Sequence, residues 1–207
     1  MPGDKPDALT RTFRVDGALA VGVPIPATDK QALRRRYRQA RRALSAQDQR
    51  RHAEAVAGQV LSHLAPDTTV VATYLARDGE VDLKLAIQGL WERGITVAVP
   101  VLAGRSMRFA EYRSDTPMVC NRFGIAEPGQ PVTVVPGVVL APLVAFDEHG
   151  TRLGMGGGYY DRYFDAVAIQ ERVGIAHECQ RVVELPRTPR DVRLTAVVTE
   201  NGRQVFQ

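Results

Sequence analysis

The chain has 207 residues, a formal net charge of +4 and ordinary globular apolar content at 44%, so one large domain is the expected scale. No window approaches an unbroken membrane-spanning length of apolar residues, and no membrane partner is expected. The two cysteines, Cys120 and Cys179, lie far apart, which excludes a disulfide scaffold or a cysteine metal motif and points to a reducing, cytoplasmic setting.

Residues 1–27 mix prolines, glycines and charges without sustained periodicity, and they lack the order of a signal peptide. They read as a flexible extension ahead of a domain spanning residues 28–207. Thr28 with Gln31 resembles a capping box. Leu33, Tyr37, Ala40 and Leu44 then recur at helical spacing. Lys30, Arg34, Arg38 and Arg42 repeat every four residues and share one helical face, where they either meet an anion or snorkel along the surface. Much of the positive charge sits in residues 34–51. Without interleaved aromatics it reads as a solvated face, with Arg41 on it, and no nucleic-acid partner is expected. Ser45 with Asp48 looks like a second cap, and Val56, Val60 and Leu64 give the next helix its stripe before Pro66.

Residues 69–75 read as a buried strand, residues 81–93 as a helix with Leu85 and Trp91 inward, Gly94 as its end, and residues 95–99 as the next strand. This alternation implies a parallel sheet with right-handed crossovers. Ligands bind beyond the carboxyl ends of such strands, which would let Glu80 and Gly154 face one crevice. Taken alone, Glu80 is a surface acid or a helix N-terminal charge. Residues 107–112 form a short strand. Residues 113–136 are a long loop rich in proline and glycine, a length that is usually functional or disordered. Residues 137–146 are the most apolar strand and belong at the centre. Residues 159–169 read as helix, 172–176 as strand, 177–185 as a turn, and 194–199 as the strand that closes the sheet. The fold class is α/β: a three-layer α/β/α single domain with a mostly parallel sheet and an N-terminal helical pair.

The most informative stretch is Arg152-Leu-Gly-Met-Gly-Gly-Gly-Tyr-Tyr-Asp-Arg-Tyr-Phe164, with four glycines in five positions. Strand, glycine turn, helix is its physical reading. Glycine permits positive φ and close approach to a ligand. Unpaired amides at a helix N-terminus favour an anion. Arg152 adds a planar fork of donors that suits phosphate, and Asp161 could hold a metal ion bridging to phosphate oxygens. The alternative is a turn that merely reverses the chain, since the spacing is neither a Walker A loop nor G-x-G-x-x-G. Hydrolase chemistry finds no support: there is no G-x-S-x-G elbow, and neither cysteine has a context that would lower its pKa. His177 stands alone after a strand, where a structural or supporting role is the better assignment.

In order along the chain, Lys30-x-x-Leu-Arg34, Glu80-Val-Asp82, Asn121-Arg-Phe-Gly-Ile-Ala-Glu-Pro128, the segment from Phe146 to Tyr163, Gly174-Ile-Ala-His-Glu-Cys-Gln180 and Leu185-Pro186 resemble the 5-formyltetrahydrofolate cyclo-ligase family. The resemblance implies closure of 5-formyltetrahydrofolate to 5,10-methenyltetrahydrofolate with ATP and Mg²⁺, by way of a phosphorylated formyl oxygen that makes phosphate the leaving group. It implies ATP binding by Lys30, Arg34, Arg152, Leu153, Gly154, Met155, Gly156, Gly157, Gly158, Tyr159 and Tyr160, with Arg152 and Arg34 as the catalytic pair and Arg34 near the phosphates or the substrate. It places Leu75, Glu80, Phe123, Met155 and Tyr159 at the folate, and Asp161 and Asp191 at Mg²⁺. A monomer is expected. Gly157 stands where many members have lysine, and Thr195 where some carry a second acid. Those departures leave a folate- or nucleotide-binding paralogue without turnover as the alternative. A sugar-phosphate isomerase would rest on fold analogy alone. Arg152→Ala is expected to cost more turnover than Arg41→Ala, because Arg41 is read as solvated.

Overall fold

The structure, a computed structural model, describes residues 29–207. The expected extension of residues 1–27, and Thr28 as a cap, lie outside the described residues. Asp29 caps the first helix, α1 (Lys30–Arg42): its carboxylate accepts from the amides of Gln31 and Ala32. Ser45 caps α2 (Ala46–Ser62) as expected, accepting from the Asp48 amide.

The chain then alternates: β1 (Val70–Ala72), α3 (Lys84–Glu92), β2 (Thr96–Ala103), β3 (Ser106–Glu111), β4 (Met118–Cys120), β5 (Ala126–Pro128), β6 (Thr133–Val134), β7 (Val138–Pro142), β8 (Ala145–Phe146), β9 (Arg152–Leu153), α4 (Tyr159–Ala166), β10 (Glu171–Ile175), β11 (Ala196–Thr199) and β12 (Gly202–Val205). The main sheet has the order β12-β11-β10-β7-β1-β2-β3-β6. From β11 through β2 every neighbouring pair is parallel, and β12, β3 and β6 join antiparallel at the margins. β7, the most apolar run, lies centrally between β10 and β1, as its composition required.

Side-chain alternation divides the sheet into two faces. Val71, Val97, Leu140 and Val173 pack under Val56 and Val60 of α2 and Ile87 and Leu90 of α3. The opposite face carries Ala72, Ala98, Val139 and Ala141, small enough to admit Tyr163 and Phe164 of α4 beside Phe109. Three layers result. α1 instead seats Leu33 against Ala145, Leu153 and Leu185.

Several boundaries differ from the sequence reading. α3 starts at Lys84, and Leu85 is 48% exposed, because the inward stripe runs through Ala86, Ile87 and Leu90. Trp91 is half-buried and donates to the Tyr112 carbonyl at 3.1 Å. β2 continues to Ala103 and turns through Gly104, at φ +59°, into β3. The long loop holds structure of its own, a β4–β5 hairpin and the edge strand β6. β11 does not close the sheet, since β12 folds back outside it.

Candidate functional site

β7 exits the sheet into a small hairpin, in which β8 and β9 pair Phe146 with Arg152 and Ala145 with Leu153. Buried Asp147 builds the turn: its Oδ1 accepts from the amides of His149 and Thr151, and its Oδ2 from that of Leu185. The hairpin delivers the glycine segment to the start of α4. Gly156 has φ +98° and Gly158, the N-cap, has φ +65°, conformations that side chains resist. Among the described residues no side chain caps α4, so its first amides have no side-chain partner there.

α1 lies across this loop. Arg34 donates to the Gly154 carbonyl at 2.8 Å, and a Cβ on Gly156 would sit only 3.4 Å from the Arg34 guanidinium carbon. Lys30 pairs with Asp191 at 3.0 Å. Arg152, its side chain only 4% exposed, holds Asp161 at 2.7 Å and also donates to the Val192 carbonyl. Its guanidinium lies over the Phe164 ring. Asp161 and Asp191 therefore face the site with one cation each, and Asp191 also accepts from the Thr188 amide. Burial would raise the Asp191 carboxyl, but the Thr188 amide and Lys30 outweigh it and hold it below the usual carboxylate range.

The other end of the α1 stripe does not snorkel. Arg38 and Arg42 converge on Asp78, and Arg41 joins them at 2.9 Å. Arg41 is not on a solvated face: it is 1% exposed and reaches the carbonyls of Asp78 and Leu143 as well as Glu80, 3.6 Å away. Its position four residues after Tyr37 and eight after Leu33 puts it on the inward stripe. Asp78 was missed by the sequence reading. With Gly79 it occupies a turn in which both residues have positive φ, +56° and +74°. The Glu80 amide closes the turn on the Arg77 carbonyl at 2.9 Å, the Asp-Gly signature of a type I′ turn. That dipeptide was the signal available in the sequence. Burial would raise the Asp78 carboxyl, but hydrogen bonds from Arg38, Arg42 and Arg41 hold it at about 2. The same turn brings Glu80 into the site, where burial raises its carboxyl despite Arg41.

All the site residues expected from the sequence line one cavity of about 950 Å³: Lys30, Arg34, Leu75, Glu80, Phe123, Arg152, Leu153, Gly154, Met155, Gly156, Gly157, Gly158, Tyr159, Tyr160, Asp161 and Asp191. The cavity opens beyond the carboxyl ends of β1 and β7, as the topology required. Phe123 stands on the β4–β5 turn, which Asn121 folds by accepting from the Phe123 and Ile125 amides. It meets Tyr159 edge-on at 6.5 Å, and Arg122 stacks on Phe123 while donating to the Tyr159 hydroxyl. Tyr160 brings a buried hydroxyl with no hydrogen-bond partner among the described residues. Thr195 does not line the cavity: its hydroxyl accepts from the Arg172 amide and donates to the Arg172 carbonyl, tying the start of β11 to β10. Cys179 lies at the surface, and desolvation by its neighbours and then Glu200 push its thiol up to about 11, which disfavours a ready thiolate.

A family model described as the 5-formyltetrahydrofolate cyclo-ligase family matches residues 26–200. A 5-formyltetrahydrofolate cyclo-ligase of Escherichia coli K12 is 39% identical over 78% of this chain and 95% of its own. One from Haemophilus influenzae is 38% identical over 80% of this chain and 94% of its own. A solved 5,10-methenyltetrahydrofolate synthetase from Aquifex aeolicus superimposes with a TM-score of 0.76 at 31% identity, covering 86% of this chain and 93% of that one. With its fold and its sequence motifs matched over nearly its whole described length, the chain belongs to the 5-formyltetrahydrofolate cyclo-ligase family of enzymes.

Proposed function

We propose that this protein converts 5-formyltetrahydrofolate and ATP to 5,10-methenyltetrahydrofolate, ADP and phosphate, in the cavity between α1, the glycine segment and the Asp78–Glu80 turn. One observation supports the reading: the residues we assign to the phosphates and to the folate line a single cavity of about 950 Å³, at the upper end for one ligand and suited to two co-substrates side by side.

In this reading the α4 amides, with Lys30 and Arg34, receive the triphosphate. Arg152 holds Asp161 in place and adds its charge beneath the loop. Asp161 and Asp191 offer hard oxygen donors suited to Mg²⁺, which coordinates a carboxylate or two alongside phosphate oxygens and water. Mg²⁺ when bound would neutralise charge on those phosphate oxygens. Glu80 accepts hydrogen bonds from the pterin amino group, while Leu75 and Phe123 bound the ring. The formyl oxygen is placed in line with the γ-phosphate. Its phosphorylation turns a poor leaving group into a good one, and the nitrogen at position ten then displaces phosphate from the same carbon. Positioning and charge neutralisation suffice for such a transfer.

The test mixes purified protein with 5-formyltetrahydrofolate, ATP and Mg²⁺. Methenyl product and ADP should appear in equal amounts. ADP without cyclised folate, or neither product, would overturn the proposal, and saturable binding without product would identify a paralogue that only binds.

A further inference from the structure

His52 from the middle of α2, His177 just after β10 and Glu200 just after β11 come from three separate elements and meet below the active-site turn. The two Nδ1 atoms lie 2.9 Å apart, and Glu200 Oε1 is 3.5 Å from His52 Nδ1. All three donor atoms fall within 4.8 Å of one another. The histidines are buried, and the Glu200 side chain keeps 16% exposure, giving the cluster an edge toward solvent.

The partners of these groups define what the cluster can do. His177 Nε2 faces the Gly79 carbonyl at 3.2 Å, and a carbonyl can only accept, so the ring carries its proton on Nε2. Its Nδ1 is then a lone pair facing His52 Nδ1, with a Glu200 oxygen within 4.8 Å. Glu200 Oε2 accepts from the Glu178 amide at 3.0 Å, leaving Oε1 turned to the histidines. A backbone carbonyl fixing one ring nitrogen while the other points at a shared centre is the support that metal-bound histidines have. Two imidazoles and a carboxylate form a recognised zinc donor set with room for water. Nitrogens bound to a tetrahedral zinc lie about 3.4 Å apart, so the rings need to part by only about half an ångström. His52 then exchanges its Nδ1 proton for one on Nε2, and the ring stays neutral. The neighbouring Arg41 charge is already paired with Asp78 and Glu80.

We propose that His52, His177 and Glu200 form a second metal site, selective for a borderline divalent ion such as Zn²⁺, Co²⁺ or Ni²⁺ over Mg²⁺. Nitrogen donors give that preference. The Gly79 carbonyl links the site to the Asp78–Glu80 turn, so an ion there stiffens one wall of the catalytic cavity.

The test uses the full chain in excess Mg²⁺. Titration with Zn²⁺ by calorimetry should show one site per chain, and Co²⁺ should give visible d–d absorption of low-coordinate character. Glu200→Gln, at a partly exposed position, should weaken Zn²⁺ binding by about tenfold or more, and His52→Gln should do the same. A double variant, His63→Gln with His149→Gln, should leave the affinity unchanged, since both rings are exposed and outside the cluster. Thermal melts of each variant separate lost binding from lost folding. The proposal is overturned if the wild-type chain binds no Zn²⁺ in excess Mg²⁺. It is also overturned if a folded Glu200→Gln chain binds as the wild type does, or if the surface double variant alone abolishes binding.

Discussion

Arg41 shows what a single side chain can carry in this protein. Its guanidinium is withdrawn from water and compensated by Asp78, by Glu80 and by two carbonyls. Removing one member of a buried ion cluster strands the others, at about 3–5 kcal/mol. Arg41→Ala should therefore lower the unfolding free energy by about 3 kcal/mol, whereas Arg35→Ala, exposed on the same helix, should stay within about 0.5 kcal/mol. Urea titration of both variants checks this, and equal midpoints would refute it. The expectation that Arg41 lies on a solvated face thus gives way to a stability role, separate from any loss of turnover in Arg152→Ala. Asp78 sets a pH window from the same cluster. Its folded pKa is about 2 against an ordinary 3.8, so its stabilisation is complete above 3.8 and is lost as pH falls toward 2. Glu80 has the opposite sign, because protonation relieves its raised carboxyl at milder acidity. Acid unfolding of the wild type should be steeper between pH 4 and 2 than that of Asp78→Asn.

Among the elements, two helical glycines make opposite predictions for the same substitution. A Cβ at Gly58 in α2 meets nothing within 4 Å, so Gly58→Ala should stabilise by roughly 0.5–1 kcal/mol through helix propensity. A Cβ at Gly89 in α3 would come within 2.5 Å of Leu61 Cδ1, where α2 and α3 pack, and Gly89→Ala should lose that gain or reverse it. Thermal melts of both variants decide. α1 and the glycine segment are joined in a different way, through the Arg34 bond to the Gly154 carbonyl. On the proposed function, Mg-ATP should slow amide exchange in residues 154–161 and in α1 together. Protection of the glycine segment alone would show that α1 does not share in nucleotide binding.

Across the whole molecule, what was legible in the sequence was local. The apolar runs of β1, β2 and β7, helical periodicity in α1 and α2, the Ser45 cap and the glycines around Gly156 each follow from constraints within a few residues. Their order along the chain was enough to identify the family and to pick out residues that line one cavity. Tertiary structure decided which charges meet. Asp78 draws in arginines 36 to 40 positions away, and His177 meets His52 across 125 residues. No spacing rule reports such pairs, because burial depends on what a helix face packs against. The same holds for β12 and the β4–β5 hairpin, short strands whose few residues carry little periodicity and which form by pairing with neighbours already in place. Local pattern thus determined most of the elements and the glycine segment. Packing at the carboxyl ends of the strands decided that a row of like charges on α1 would become part cavity wall and part buried ion cluster.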